Sequence, residues 1–125
     1  MLKQRIQVYL IQANTKWPEY LEDARAIANY IAYHATDYVD EEFIEEHFNG
    51  CHAVLKTLPI GSIKPGHEYD NLRNKRKEKS YAKLNIESMP PIVVMDGEII
   101  DGNHRYRVAL SKGCTHIKAY VATED

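Results

Sequence analysis

The chain has 125 residues, 44% hydrophobic and 27% charged, with a formal net charge of −2. That is one globular domain's worth of chain, and it excludes a disordered segment or a protein with a global positive field for nucleic acid. No apolar run approaches the ~20 residues that span a bilayer and no signal-peptide layout opens the chain, so a cytoplasmic protein without membrane contact is expected.

Before residue 17 the pattern is ambiguous. Leu2, Ile6, Tyr9 and Leu10 fit a helix, while Ile6, Val8 and Leu10 alternate like a strand; we read a helix. Residues 17–48 read as helical. Pro18 suits a first helical turn, where its missing N–H costs nothing. Tyr20, Leu21, Ala24, Ile27, Ala28, Ile31 and Ala32 then recur at spacings of three and four, which builds one apolar face. A second, shorter helix starts at Asp40 and ends at Asn49-Gly50.

The second half alternates strands, turns and one helix. Residues 54–60 predict a strand running into a loop broken by Gly61, Pro65 and Gly66. Residues 71–85 are polar, basic and rich in helix formers. Ile92-Val93-Val94-Met95 predicts a strand, Asp96-Gly97 a two-residue turn, and Glu98-Ile99-Ile100 the return strand. A helix follows from Tyr106 to Gly113, then a last strand over residues 117–121. Strand, hairpin, loop, helix, strand is an α+β or α/β order, here preceded by an N-terminal helical segment. We read a single domain over 1–125, with a helical extension over 1–50 and a core over 55–122.

The chemistry gathers at Asp101-Gly102-Asn103-His104-Arg105, where a strand ends and a helix begins. Helix N-termini carry N–H donors and partial positive charge, so they attract anions. Gly102 allows close backbone approach to a ligand. Arg105 offers a planar fork for phosphate oxygens. His104 donates hydrogen bonds or moves a proton near neutral pH. Asp101 serves either as a helix cap or as a proton acceptor.

Pro90-Pro91-Ile92-Val93-Val94, followed by Gly97-Glu98-Ile99-Ile100-Asp101-Gly102-Asn103-His104-Arg105 and then Ala109 and Gly113, resembles the ParB/sulfiredoxin superfamily. That group includes the partition protein's N-terminal domain, sulfiredoxin, a free-serine kinase and ParB-like nucleases. Leu58-Pro59-Ile60 with Ile63 looks like the family's first strand and the loop after it. The resemblance spans residues 55–121, implies an α+β fold with a small mixed sheet and flanking helices, and leaves the N-terminal helical segment without a counterpart.

The resemblance implies that Gly102, Asn103, His104 and Arg105 hold the phosphates of a nucleotide, ATP or CTP in type, accompanied by Mg²⁺. Sulfiredoxin has a cysteine where this chain has Asn103, and Cys114 lies about 15 Å along the helix, so sulfiredoxin chemistry is not expected. The partition protein carries a further DNA-binding domain, and this chain ends at Asp125, so a complete partition protein is not expected. The kinase branch has an Asp-Gly-His-His-Arg-like loop and an acidic residue after the first strand, a place Glu68 can fill. His104, Asp101 and Glu68 are thus the candidate catalytic residues.

Other groups carry two readings each. Arg73, Lys75, Arg76, Lys77, Lys79 and Lys83, with Tyr81 among them, form either a phosphate-backbone contact or a solvated helix face. Six carboxylates between Asp37 and Glu46 balance them, as a solvated face or a dock for a basic partner. Arg107 reads as a solvated helix charge. Cys51 and Cys114 match no CxxC pattern and read as free thiols. His47, Cys51 and His52 lack the partners of a zinc site, so no resident metal is expected. Two function classes follow. One is a nuclease or nucleotide-dependent phosphotransferase acting on the Gly102–Arg105 loop. The other is a non-catalytic binding module, such as a phage or mobile-element inhibitor or regulator, docking on a host protein or nucleic acid.

Overall fold

The structure is a computed structural model that describes residues 17–35, 39–66 and 88–125. The expected helix before residue 17 lies outside the described residues. So do His67, Glu68, Tyr81 and the basic residues Arg73, Lys75, Arg76, Lys77, Lys79 and Lys83.

Five strands form one mixed sheet in the order β1-β2-β5-β3-β4. They are β1 (Tyr20–Leu21), β2 (Cys51–Pro59), β3 (Ile92–Met95), β4 (Glu98–Asp101) and β5 (His116–Glu124). Among the described residues three α-helices flank it: α1 (Ala24–His34), α2 (Glu41–His47) and α3 (Asn103–Ser111). This is the α+β mixed sheet with flanking helices that the resemblance implies. No helix among the described residues is long and apolar enough to cross a membrane.

The strands β2 and β5 pair antiparallel from Cys51↔Glu124 to Pro59↔His116. Each outruns its sequence reading, because pairing along the whole length satisfies backbone groups that no local pattern reveals. Parallel β3 and β5 are joined through β4 and α3, the crossover that a parallel pair requires. Ile92, Val93 and Val94 are all buried, as befits a strand covered on both faces. Val93 joins Ile27, Tyr30, Ile31, Phe48 and Tyr120 in the core on the α1 face. Ile92 and Val94 join Ile99, Tyr106 and Ala109 in the core on the α3 face.

The beginning of α1 corrects the sequence reading. Pro18 does not open a helix; its carbonyl accepts a 2.7 Å hydrogen bond from the Tyr120 hydroxyl. Tyr20 and Leu21 instead pair with Val54 and Ala53 as an edge strand. The helix starts only at Ala24, where the Asp23 carboxylate accepts from the Ala26 N–H at 2.8 Å. Leu21 is buried from strand geometry, and its helix-like spacing to Ala24 is incidental. Asp40 caps α2 as read, but Phe43 is 69% exposed and only Ile44 and Phe48 face the core.

His34, at the end of α1, stacks against Trp17, Tyr30 and Tyr33. Burial, and then the positive charge of Arg105, lower its pKa to about 4. The unfolded chain therefore takes up this proton near pH 6.5, while the folded chain resists it down to pH 4. Stability is complete above pH 6.5 and falls as the pH drops toward 4, by at most about 3 kcal/mol. Between pH 7.5 and 5, His34→Phe is expected to lose less thermal stability than the unsubstituted protein. Equal losses in the two would assign the acid sensitivity elsewhere.

Candidate functional site

The junction of β4 and α3 gathers the predicted residues. Asp101 closes β4, Gly102 precedes the helix, and Asn103, His104 and Arg105 form its first turn. Each takes a role that the sequence only partly foretold.

Arg105 is 3% exposed and is the one buried charged residue among those described. It is not a solvated helix charge. Its Nη1 donates to the carbonyls of Pro90 at 3.0 Å and Pro91 at 2.9 Å, and its Nη2 donates to Asp101 Oδ2 at 2.7 Å. A charge so far from water persists only when paired and hydrogen-bonded, and these acceptors supply both. The fork expected to face a ligand is thus turned inward onto the chain.

Asp101 answers one of the open alternatives. Its carboxylate does not cap α3; the N-cap is Gly102, which has no side-chain cap hydrogen bond. The carboxylate is diverted to Arg105, four residues on. By contrast, Asp23 and Asp40 cap α1 and α2.

Gly102 is required for a reason other than ligand approach. Its φ is 111°, a left-handed region that side chains rarely adopt. A Cβ there would lie 2.5 Å from Ile92 Cγ2 and 2.8 Å from Ile92 Cβ. The missing side chain makes room for the core beneath β3.

Asn103, read through the position of sulfiredoxin's cysteine, is a clamp. Its Oδ1 accepts from the Gly66 N–H at 3.0 Å. Gly66 in turn lies so close to Ile99 that a Cβ would collide with the Ile99 carbonyl oxygen. Just before it, Lys64 hydrogen-bonds along β4, donating to Gly97 at 2.8 Å and accepting from Ile99 at 2.9 Å. The first turn of α3 therefore grips the chain at Gly66 through Asn103, and at Pro90 and Pro91 through Arg105. His104 and Arg107 are half-buried on the same helix.

A cavity of about 160 Å³ lies beside Arg105, between Met89, Pro90, Ala109 and Ile117. It is smaller than the ~300–1,000 Å³ that usually holds a drug-sized ligand. Both Cys51 and Cys114 are free thiols. Among the described residues, no three His, Cys, Asp or Glu side chains gather as a metal would require.

Solved structures share this architecture. One is described as a Pnob8-like ParB-N domain, 18% identical with a TM-score of 0.51, covering 60% of this chain and 32% of that one. Another is sulfiredoxin from Arabidopsis thaliana, 23% identical with a TM-score of 0.48, covering 54% of this chain and 83% of that one. No protein-family model and no curated protein matches the chain. The chain spans about a third of the length of the ParB-N structure it matches. The fold is similar to that of the ParB-N domain, in line with the fold that the Pro90–Gly113 resemblance implies.

Proposed function

We propose that the first turn of α3 binds the phosphate of a nucleotide or of a nucleic-acid backbone. One observation carries this reading: α3 begins at Gly102 with no side-chain cap, although a carboxylate stands immediately before it. Diverting Asp101 to Arg105 removes an anion from the helix N-terminus, and the helix dipole there favours an external one. The guanidinium of Arg105 adds a fixed positive charge behind the turn. The likeness to a ParB-N domain supports the fold in which this turn sits.

In this reading Asp101 and Arg105 position the turn, and His104 is the group able to donate to a phosphate oxygen or move a proton. Mg²⁺ arrives with the nucleotide, held mainly by its phosphates. If the site turns over, phosphodiester hydrolysis or phosphoryl transfer is the reaction class, with His104 as acid or base. The basic residues Arg73, Lys75, Arg76, Lys77 and Lys79 lie in the connection between Gly66 and Pro90. A nucleic-acid backbone is the phosphate ligand whose charge they complement.

Asn103→Asp separates binding from folding. An Asp side chain keeps the acceptor for the Gly66 N–H, and its charge suits a helix N-terminus, so the melting temperature should hold or rise. The same charge repels phosphate, so affinity for Mg·ATP, Mg·CTP or a DNA oligonucleotide should fall about tenfold or more. For the unsubstituted protein, a hundredfold excess of a true ligand over its dissociation constant adds about 2.7 kcal/mol of stability. No shift with any of these three probes would refute the phosphate site. Tight binding without product in a turnover assay would identify a non-catalytic binding module.

A further inference from the structure

We propose that Tyr30, on α1, is a positioning residue for the phosphate site at α3, a role that rests on the phosphate reading above. Tyr30 is fully buried in an aromatic cluster with His34 and Tyr120, ring centroids 4.6 and 4.8 Å away. A phenylalanine would fill that place equally well. The hydroxyl is the part that packing does not need, and a buried hydroxyl is costly unless bonded.

That hydroxyl donates to the Pro91 carbonyl at 2.5 Å. The same carbonyl accepts from Arg105 Nη1 at 2.9 Å. The positive charge of Arg105 opposes the strong upward push of burial on the tyrosine's pKa. Tyr30 and Arg105 thus share one acceptor, the Pro91 carbonyl. The far side of the guanidinium holds Asp101, the residue immediately before Gly102.

The consequence is geometric. The guanidinium is fixed by two carbonyls at one end, one of them anchored by Tyr30, and by Asp101 at the other. Its position decides whether the Asp101 carboxylate stays away from the helix N-terminus. Freed from Arg105, that carboxylate stands one residue from the cap position and competes with a phosphate there. The N-terminal helix α1 is therefore part of the site's construction, although it contributes no atom to the ligand.

The test compares Tyr30→Phe with Ile31→Val on the same helix, a control that removes one buried methylene and loosens packing to a similar degree. The probe is inorganic pyrophosphate, titrated calorimetrically into the full chain. Tyr30→Phe should weaken binding about tenfold, the loss that one well-made hydrogen bond can carry, while Ile31→Val should bind within about twofold of the unsubstituted protein. In ¹⁵N NMR, the Arg105 guanidinium and the Asn103 and His104 amides should shift in Tyr30→Phe and not in Ile31→Val.

Wild-type affinity in Tyr30→Phe, or equal weakening in both variants, overturns the positioning role. Absence of pyrophosphate binding by the unsubstituted protein overturns the phosphate reading itself, and this role with it. The two failures are distinct, because the former leaves wild-type binding intact.

Discussion

Arg105→Ala is expected to cost the protein its fold before it costs any ligand. The guanidinium satisfies the Pro90 and Pro91 carbonyls and the part-buried Asp101 carboxylate at once. Removing one partner of a buried ion pair costs about 3–5 kcal/mol, because the other charge is left uncompensated. The Pro90 carbonyl, left without its donor, adds about 1–3 kcal/mol to that, less whatever water can reach, while the Pro91 carbonyl keeps the Tyr30 hydroxyl. A domain of this size has about 5–15 kcal/mol in total. The melting temperature should therefore drop by roughly 10–20 °C, or the chain should fail to fold.

Two further variants separate the causes. Arg105→Lys should recover little, because a single ammonium cannot span acceptors on both sides of a planar fork. Removing Asp101 as well, in Arg105→Ala/Asp101→Ala, should cost less than the sum of the single losses, since no unpaired carboxylate remains. Arg105→Ala with an unchanged melting temperature and lost phosphate binding would mean that the side chain faces a ligand after all.

Gly102→Ala carries the second large effect. The backbone at φ 111° disfavours any side chain, at roughly 1–3 kcal/mol. The new methyl also meets Ile92 at 2.5 Å, so β3 or α3 must shift, at about 1–3 kcal/mol more. Together these give roughly 2–6 kcal/mol, read as a lower midpoint in urea unfolding. In an Ile92→Ala background the added cost of Gly102→Ala should shrink toward the backbone share alone. Gly61→Ala is the matched control: nothing lies within 4 Å of its Cβ position, and the change should stay within about 0.5 kcal/mol. A midpoint for Gly102→Ala equal to that of Gly61→Ala would contradict the strain.

The location of the site was legible, and its internal wiring was not. A strand closing at Asp101, a break at Gly102 and a helix after it all follow from local spacing and turn chemistry. Those signals act over four or five residues, and the chain obeys them at Asp96-Gly97, at Asp40 and along Ile92–Met95. The direction of Arg105 does not follow from spacing. A helical arginine beside a glycine looks the same whether its fork faces solvent or the carbonyls of Pro90 and Pro91. Burial decided, and burial depends on what α1, β3 and the preceding loop place around it. Tyr30 shows the same limit, since its acceptor at Pro91 is 61 residues away.

The start of α1 failed for a related reason. Tyr20, Leu21 and Ala24 satisfy helical spacing, but Tyr20 and Leu21 can also pair with β2, and only the folded sheet offers that partner. Pairing satisfies backbone groups and buries Leu21 at once, which helical propensity over two residues cannot match.

By itself, then, the sequence determined the order of strands and helices in the second half, the hairpin, the break at Gly102 with a helix after it, and the clustering of polar chemistry there. Each rests on interactions between near neighbours in the chain. The tertiary structure alone decided that Gly102 makes room for Ile92, that the Asp101 carboxylate pairs with Arg105 instead of capping α3, and that Arg105 turns inward onto the Pro90 and Pro91 carbonyls. Desolvation of a charge demands partners, and the partners are chosen by topology rather than by proximity in sequence.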